Sequence, residues 1–82
     1  MEFNVLVVVP DAKEPTYGGD MHTVKVYKRK SPALKFAKKI SKLETFNGHE
    51  VYEIYVNAYD ENEDENFTWF LKNGEITHSD CG

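Results

Sequence analysis

Five acids crowd into six positions, Asp60, Glu61, Glu63, Asp64 and Glu65, with only Asn62 between them. Carboxylates at this density can hold a divalent cation, share protons in acid–base catalysis, or imitate the phosphates of a nucleic acid. A calcium loop of the EF-hand kind needs glycine at its sixth position and a bidentate glutamate at its twelfth. Counted from Asp60, those positions hold Glu65 and Leu71, so both the sharp turn and the closing ligand are missing. Acid–base work needs two carboxylates whose surroundings drive their pKa values apart, which takes burial and a fixed separation. A hydrated run of five acids supplies neither. The remaining chemistry is electrostatic: carboxylates displayed on a folded surface can occupy the site that a basic protein offers to DNA, with fast, salt-dependent association. Glu53 adds charge to this candidate protein-binding set. Tyr55 and Tyr59 add the aromatic contacts that enrich binding hot spots.

A second electrostatic candidate has the opposite sign. Lys35, Lys38, Lys39 and Lys42 fall within roughly a 100° arc of a helix with 3.6 residues per turn. Such a stripe can release counterions from phosphate and so bind RNA or DNA without reading bases. It is also the solvated face that any soluble amphipathic helix carries. Conventional catalytic and metal sets are absent from the pattern. His22, His49 and His78 are scattered without the close spacing of a metal pair, and Cys81 is a single sulfur near the terminus. The "YGGD" of residues 17–20 is not followed by the helix and lysine of a P-loop. The expectation is a non-enzymatic protein with no cofactor and no metal.

Eighty-two residues with eleven aromatic side chains form one domain, 1–82, too apolar for intrinsic disorder. One cysteine gives no internal disulfide, no stretch approaches the ~20 apolar residues of a membrane span, and the first residues lack a secretory pattern. The cytoplasm is the expected compartment. The net charge of −4 conceals an uneven distribution. Residues 1–48 carry nine Lys or Arg against five acids, whereas residues 49–82 carry one Lys against nine acids. This lopsidedness points to a polar partner.

Elements must position these charges. The β-branched "FNVLVVVP" (3–10) suits a strand buried on both faces, and Pro10 ends it. Residues 11–20 read as a long hairpin loop. "MHTVKVYKRK" (21–30) alternates as a second strand, with Val24 and Val26 facing one way and Lys25, Tyr27 and Arg29 the other. Ser31 and Pro32 open an amphipathic helix over 31–47. Ala33, Phe36, Ala37, Ile40 and Leu43 form its apolar face, and Asn47-Gly48 forms its stop. "HEVYEIYVNAY" (49–59) is a strand. "FTWFLKNGEITHS" is a hairpin around Asn73-Gly74, pairing Lys72 with Glu75, Leu71 with Ile76, Phe70 with Thr77 and Trp69 with His78. The expected fold class is α+β: a small, largely antiparallel sheet in β-β-α-β-β-β order with the helix packed on one face.

One helix covers only one side of such a sheet, and Tyr55, Tyr59 and Phe70 fall on the other. Exposed apolar patches of this kind mark interaction sites, and a homodimer is the simplest way to cover one. The layout resembles small phage-encoded proteins that bind and inhibit host machinery. That resemblance implies a stoichiometric inhibitor acting in the host cytoplasm. The expected partner is a basic nucleic-acid-binding protein, met by an acidic, DNA-mimicking surface. The alternatives are direct RNA or DNA binding by the lysine face, and inhibition of host transcription or another host enzyme without mimicry.

Overall fold

A computed structural model describes residues 1–10, 13, 18–62 and 65–81. Strands β1 (Glu2–Pro10) and β2 (Gly18–Tyr27) precede the helix α1 (Lys30–Ile40). Two short strands follow, β3 (Thr45–Phe46) and β4 (His49–Glu50), then β5 (Glu53–Tyr59), β6 (Glu65–Lys72) and β7 (Glu75–Cys81). Five strands form one antiparallel sheet in the order β2-β1-β5-β6-β7, and β3 with β4 forms a separate hairpin. The class is α+β, as the sequence implies. No described helix is long and apolar enough to cross a membrane.

The β-branched run of β1 has strands on both sides, so its backbone groups are paired across the sheet's interior. Val5 stands opposite Lys25 of β2 and Val56 of β5. Phe3, Val5 and Val7 point toward the helix and are buried with Ile54, Val56, Ala58 and Leu71. Ala33, Ala37 and Ile40 of α1 close over them. Two alanines on the contact stripe let the helix lie close to the sheet. Aromatic pairs extend the cover beyond it: Tyr27 meets Phe36, Phe36 meets Phe46, and Phe3 meets Trp69.

The helix ends at Ile40, seven residues before the expected stop. Asn47 and Gly48, with φ of 50° and 80°, form the turn of the β3–β4 hairpin instead. Asn-Gly serves both helix ends and tight hairpins because both need left-handed backbone. Leu43, expected on the apolar face, is exposed. At the other end Arg29, in extended conformation, is the cap and makes no side-chain bond. Ser31 and Pro32 lie inside the first turn, where the N–H that proline lacks has no helical partner.

Two bulges change the expected facing. In β2 the register steps between Lys25 and Thr23, inserting Val24. Val24 and Tyr27 therefore pack toward the core while Val26 is 48% exposed on the opposite face. In the β6–β7 hairpin, Lys72 pairs with Glu75 and Leu71 with Ile76, but a bulge then places Phe70 opposite His78 and Trp69 opposite Ser79. The bulged Thr77 donates its hydroxyl to the Phe70 carbonyl at 3.2 Å. Gly18 and Gly19 begin β2 rather than a loop. Residues 49–59 split into β4 and β5, with the Tyr52 N–H donating to the Val8 carbonyl at 2.8 Å.

Ser41 ties the helix to the sheet. Its hydroxyl donates to the Lys38 carbonyl and accepts the Gly74 N–H, both at 2.8 Å, and its own carbonyl accepts the Asn73 N–H at 3.2 Å. Ser41 is buried. Ser41→Ala leaves the Gly74 N–H without its acceptor and should destabilise the fold by about 1–3 kcal/mol. The checks are a melting temperature lowered by about 4–8 °C per kcal/mol and faster hydrogen exchange at the Gly74 amide.

Candidate binding face of the sheet

Cross-strand partners in an antiparallel sheet share a face. Because Phe3, Val5 and Val7 point to the helix, the alternate positions of β1 point away, and the register carries that side across all five strands. One row runs Val26, Asn4, Asn57, Thr68, Asp80. The next runs Thr23, Leu6, Tyr55, Phe70, His78. Val8 lies between Met21 and Glu53, Glu2 opposes Tyr59, and Lys72 opposes Glu75. This is the side α1 leaves open. Most of the loop expected over 11–20 lies outside the described residues.

An aromatic ladder occupies its middle. Tyr55 meets Phe70 edge-on, with centroids 4.6 Å apart and planes at 81°, and Phe70 meets His78 at 5.1 Å. Such pairs hold their rings in fixed orientation. Met21 at 54% and Val26 at 48% exposure add apolar area to this side at the flanking strand β2, whereas Ile76, paired with buried Leu71, belongs to the helix side. Tyr55 and Tyr59, both named from sequence, are on this side.

Acids surround the ladder. Glu2, Asp60 and Glu61 stand at the end where β1 begins and β5 finishes, and Asp80 is in the Thr68 row. Glu53 and Glu75 lie toward the opposite end. Asp60 accepts the Asn62 N–H at 2.9 Å, which orders the start of the turn. Of the acidic run, Glu65 opens β6, while Glu63 and Asp64 lie outside the described residues. Lys28 and Lys72 stand among these acids, while other lysines occupy the helix layer. Lys35, Lys38 and Lys39 are exposed on the outer side of α1. Lys25 lies over the Tyr27 and Phe36 rings, and Lys30 over Trp69. Lys42, past the helix end, lays its stem against Gly74 rather than extending the stripe. The open side thus carries more acids than lysines, and the outer side of α1 carries lysines.

Two features of the open side lower its stability. Burial pushes the Glu53 carboxyl above the usual carboxylate range, against the opposing pull of Lys72, a hydrogen bond from Tyr55, and His78. Asn4 and Asn57, cross-strand partners, each hold a buried side-chain oxygen with no hydrogen-bond donor among the described residues. A buried acceptor left so costs about 1–3 kcal/mol. Asn57 donates its amide N–H to the Tyr59 hydroxyl at 3.4 Å, near the limit for such a bond. The two asparagines were not singled out in the sequence. Their signal is a residue type disfavoured in strands, set within the apolar runs "FNVLVVV" and "YVNAY".

Two of the three histidines come together and the third stands apart. His22 of β2 and His49 of β4 stack with centroids 4.1 Å apart, tying the small hairpin to the sheet edge. His78 is on the open face, 3.9 Å from Asp80. Among the described residues, no three His, Cys, Asp or Glu side chains are grouped to hold a metal ion. No protein-family model, curated protein or solved structure matches the chain. The chemistry of the face itself therefore carries the functional inference.

Because the folded-state pKa of Glu53 lies above its unfolded value, its stabilising contribution is present at low pH and lost as pH rises through the folded value. Glu53→Gln, neutral throughout, should be more stable than the parent near pH 7, by under about 1 kcal/mol because the carboxylate keeps part of its water. The difference should vanish toward about pH 4, and thermal melts across this range measure it.

Proposed function

We propose that this chain is a non-catalytic binding protein that engages a basic protein through the aromatic-centred, acid-rimmed side of its sheet. It occupies there the surface its partner would offer to a nucleic acid. The observation that supports this most directly is the excess of acids over lysines, Lys28 and Lys72, on the open side. Glu2, Glu53, Asp60, Glu61, Glu75 and Asp80 gather around Tyr55, Tyr59 and Phe70, while Lys25, Lys30, Lys35, Lys38 and Lys39 belong to the helix side. Aromatic anchors inside a charged rim combine affinity with electrostatic steering. Acting stoichiometrically in the cytoplasm as an inhibitor of a nucleic-acid-binding protein of its host, the protein needs no cofactor and no catalytic residue.

The same charge distribution weighs on the homodimer. A second copy placed face to face would bring two acidic rims together, and like-charge juxtaposition opposes that contact. A cationic partner gains where a second copy loses. Inhibition of a host enzyme without DNA mimicry would use the aromatic ladder and be indifferent to the acids. Direct nucleic-acid binding would use Lys35, Lys38 and Lys39 on the helix.

Immobilised protein should retain nucleic-acid-binding proteins from a lysate and release them to duplex DNA or raised salt. Replacing the five acids at 60–65 with Asn or Gln should abolish this retention, while Lys35, Lys38 and Lys39 changed to Glu should leave it intact. Clear gel-shift binding of generic DNA or RNA at low salt, lost in the Lys→Glu variant, would overturn the proposal in favour of the helix face.

A further inference from the structure

We propose that Asn47 is a site of spontaneous covalent modification, its side-chain amide giving aspartate and isoaspartate through a cyclic imide with Gly48, and that Ser41 protects Asn73 from the same reaction. The chain has two Asn-Gly pairs, and each closes a two-residue hairpin turn. Their backbones are nearly alike: φ is 50° and 80° at Asn47 and Gly48, and 53° and 84° at Asn73 and Gly74. Glycine leaves the attacking nitrogen unhindered in both. Their surroundings differ.

In the reaction the glycine nitrogen gives its proton to solvent base and bonds to the side-chain carbonyl carbon of the asparagine. The bond from that carbon to the side-chain nitrogen breaks, and ammonia leaves. Water then opens the five-membered imide at either carbonyl, giving aspartate or isoaspartate. The net change is one water taken up and one ammonia released, with no oxidation. Closing the ring requires the asparagine backbone to rotate out of the left-handed turn, so the turn must first open.

At Asn73-Gly74 that opening is opposed. The Gly74 N–H donates to the hydroxyl of buried Ser41 at 2.8 Å, and the Asn73 N–H donates to the Ser41 carbonyl at 3.2 Å. The Lys42 side chain fills the place a Cβ on Gly74 would take, and the flanking strands run for eight and seven residues. Asn47 and Gly48 are both exposed, and nothing lies within 4 Å of the place a Gly48 Cβ would take. No described residue accepts the Gly48 N–H. Just two cross-strand pairs hold this hairpin, Thr45 with Glu50 and Phe46 with His49. Short ladders with exposed backbone open at low cost, so the ring closes there first. Isoaspartate then routes the main chain through the side-chain carbon and adds a carboxylate. A two-residue turn has no slack for the extra methylene, so the Phe46–Phe36 and His49–His22 contacts loosen. This chemistry is independent of the binding role proposed above.

The test holds the full chain in mildly alkaline buffer and samples it over days. Peptide mapping by mass spectrometry reads the exchange of NH2 for OH, and labelling by an isoaspartyl methyltransferase counts isoaspartate. Asn47 should convert about tenfold faster than Asn73, the difference that one or two hydrogen bonds of ordinary strength make. In urea sufficient to unfold the chain, the two rates should converge. Ser41→Ala, at a temperature where circular dichroism shows it folded, should raise the Asn73 rate toward that of Asn47. In the aged protein the Val51 amide, which donates to the Glu44 carbonyl at 2.9 Å, should exchange its hydrogen faster, while the Gly74 amide should not. Equal rates in the folded chain, faster conversion of Asn73, or a difference that survives unfolding would each overturn the inference. So would an Asn73 rate indifferent to folded Ser41→Ala, or an unchanged Val51 amide in the isoaspartate form.

Discussion

The packing of one short helix on the middle of a five-stranded sheet is the constraint from which the rest follows. Ala33, Ala37 and Ile40 press on Val5, Val7, Ile54 and Val56, and this contact excludes water from the centre of the molecule. Eleven residues of helix span only about 16 Å, too little to cover the sheet. Aromatic side chains from β2, β3 and β6 therefore complete the cover, and the His22–His49 stack and the Ser41 hydrogen bonds fasten its margins. Nothing comparable among the described elements serves the other side of the sheet.

That imbalance shapes the surface chemistry. Strands with one face committed to the core must send alternate residues outward, and here those residues are aromatic, amide and acidic rather than uniformly hydrophilic. A fold optimised only for stability would place neither Glu53 where burial raises its pKa nor Asn4 and Asn57 where their oxygens meet no donor. Stability given up locally in a small domain, whose margin is narrow, accords with the binding role proposed for this surface. The helix layer, by contrast, keeps its lysines outward or over aromatic rings and shows no such deficit.

Much of this was legible in the residues. The β-branched run of β1, the alternation of β5 and the Asn73-Gly74 turn identify their elements because each rests on local backbone preference and periodicity. The pairing of Lys72 with Glu75 and of Leu71 with Ile76 follows from that turn alone. Beyond it the bulge at Thr77 displaces every later pair, and the bulge at Val24 turns Val26 outward. Bulges answer to neighbouring strands, which no local window contains. Asn47-Gly48 was ambiguous for a similar reason: left-handed backbone ends helices and closes hairpins alike, and the Thr45–Glu50 pairing decides between them.

By itself the sequence determined the class of the fold, the central strands, the existence of the helix and an uneven charge, because these depend on composition, periodicity and local conformation. Only the tertiary structure decided which charges share the open side of the sheet, where acids outnumber Lys28 and Lys72. It alone set Glu2 beside Asp60 and Glu61, and Asn4 beside Asn57. Those neighbours are far apart along the chain, and they meet because antiparallel register, fixed by burial of the apolar face, carries β1 next to β5.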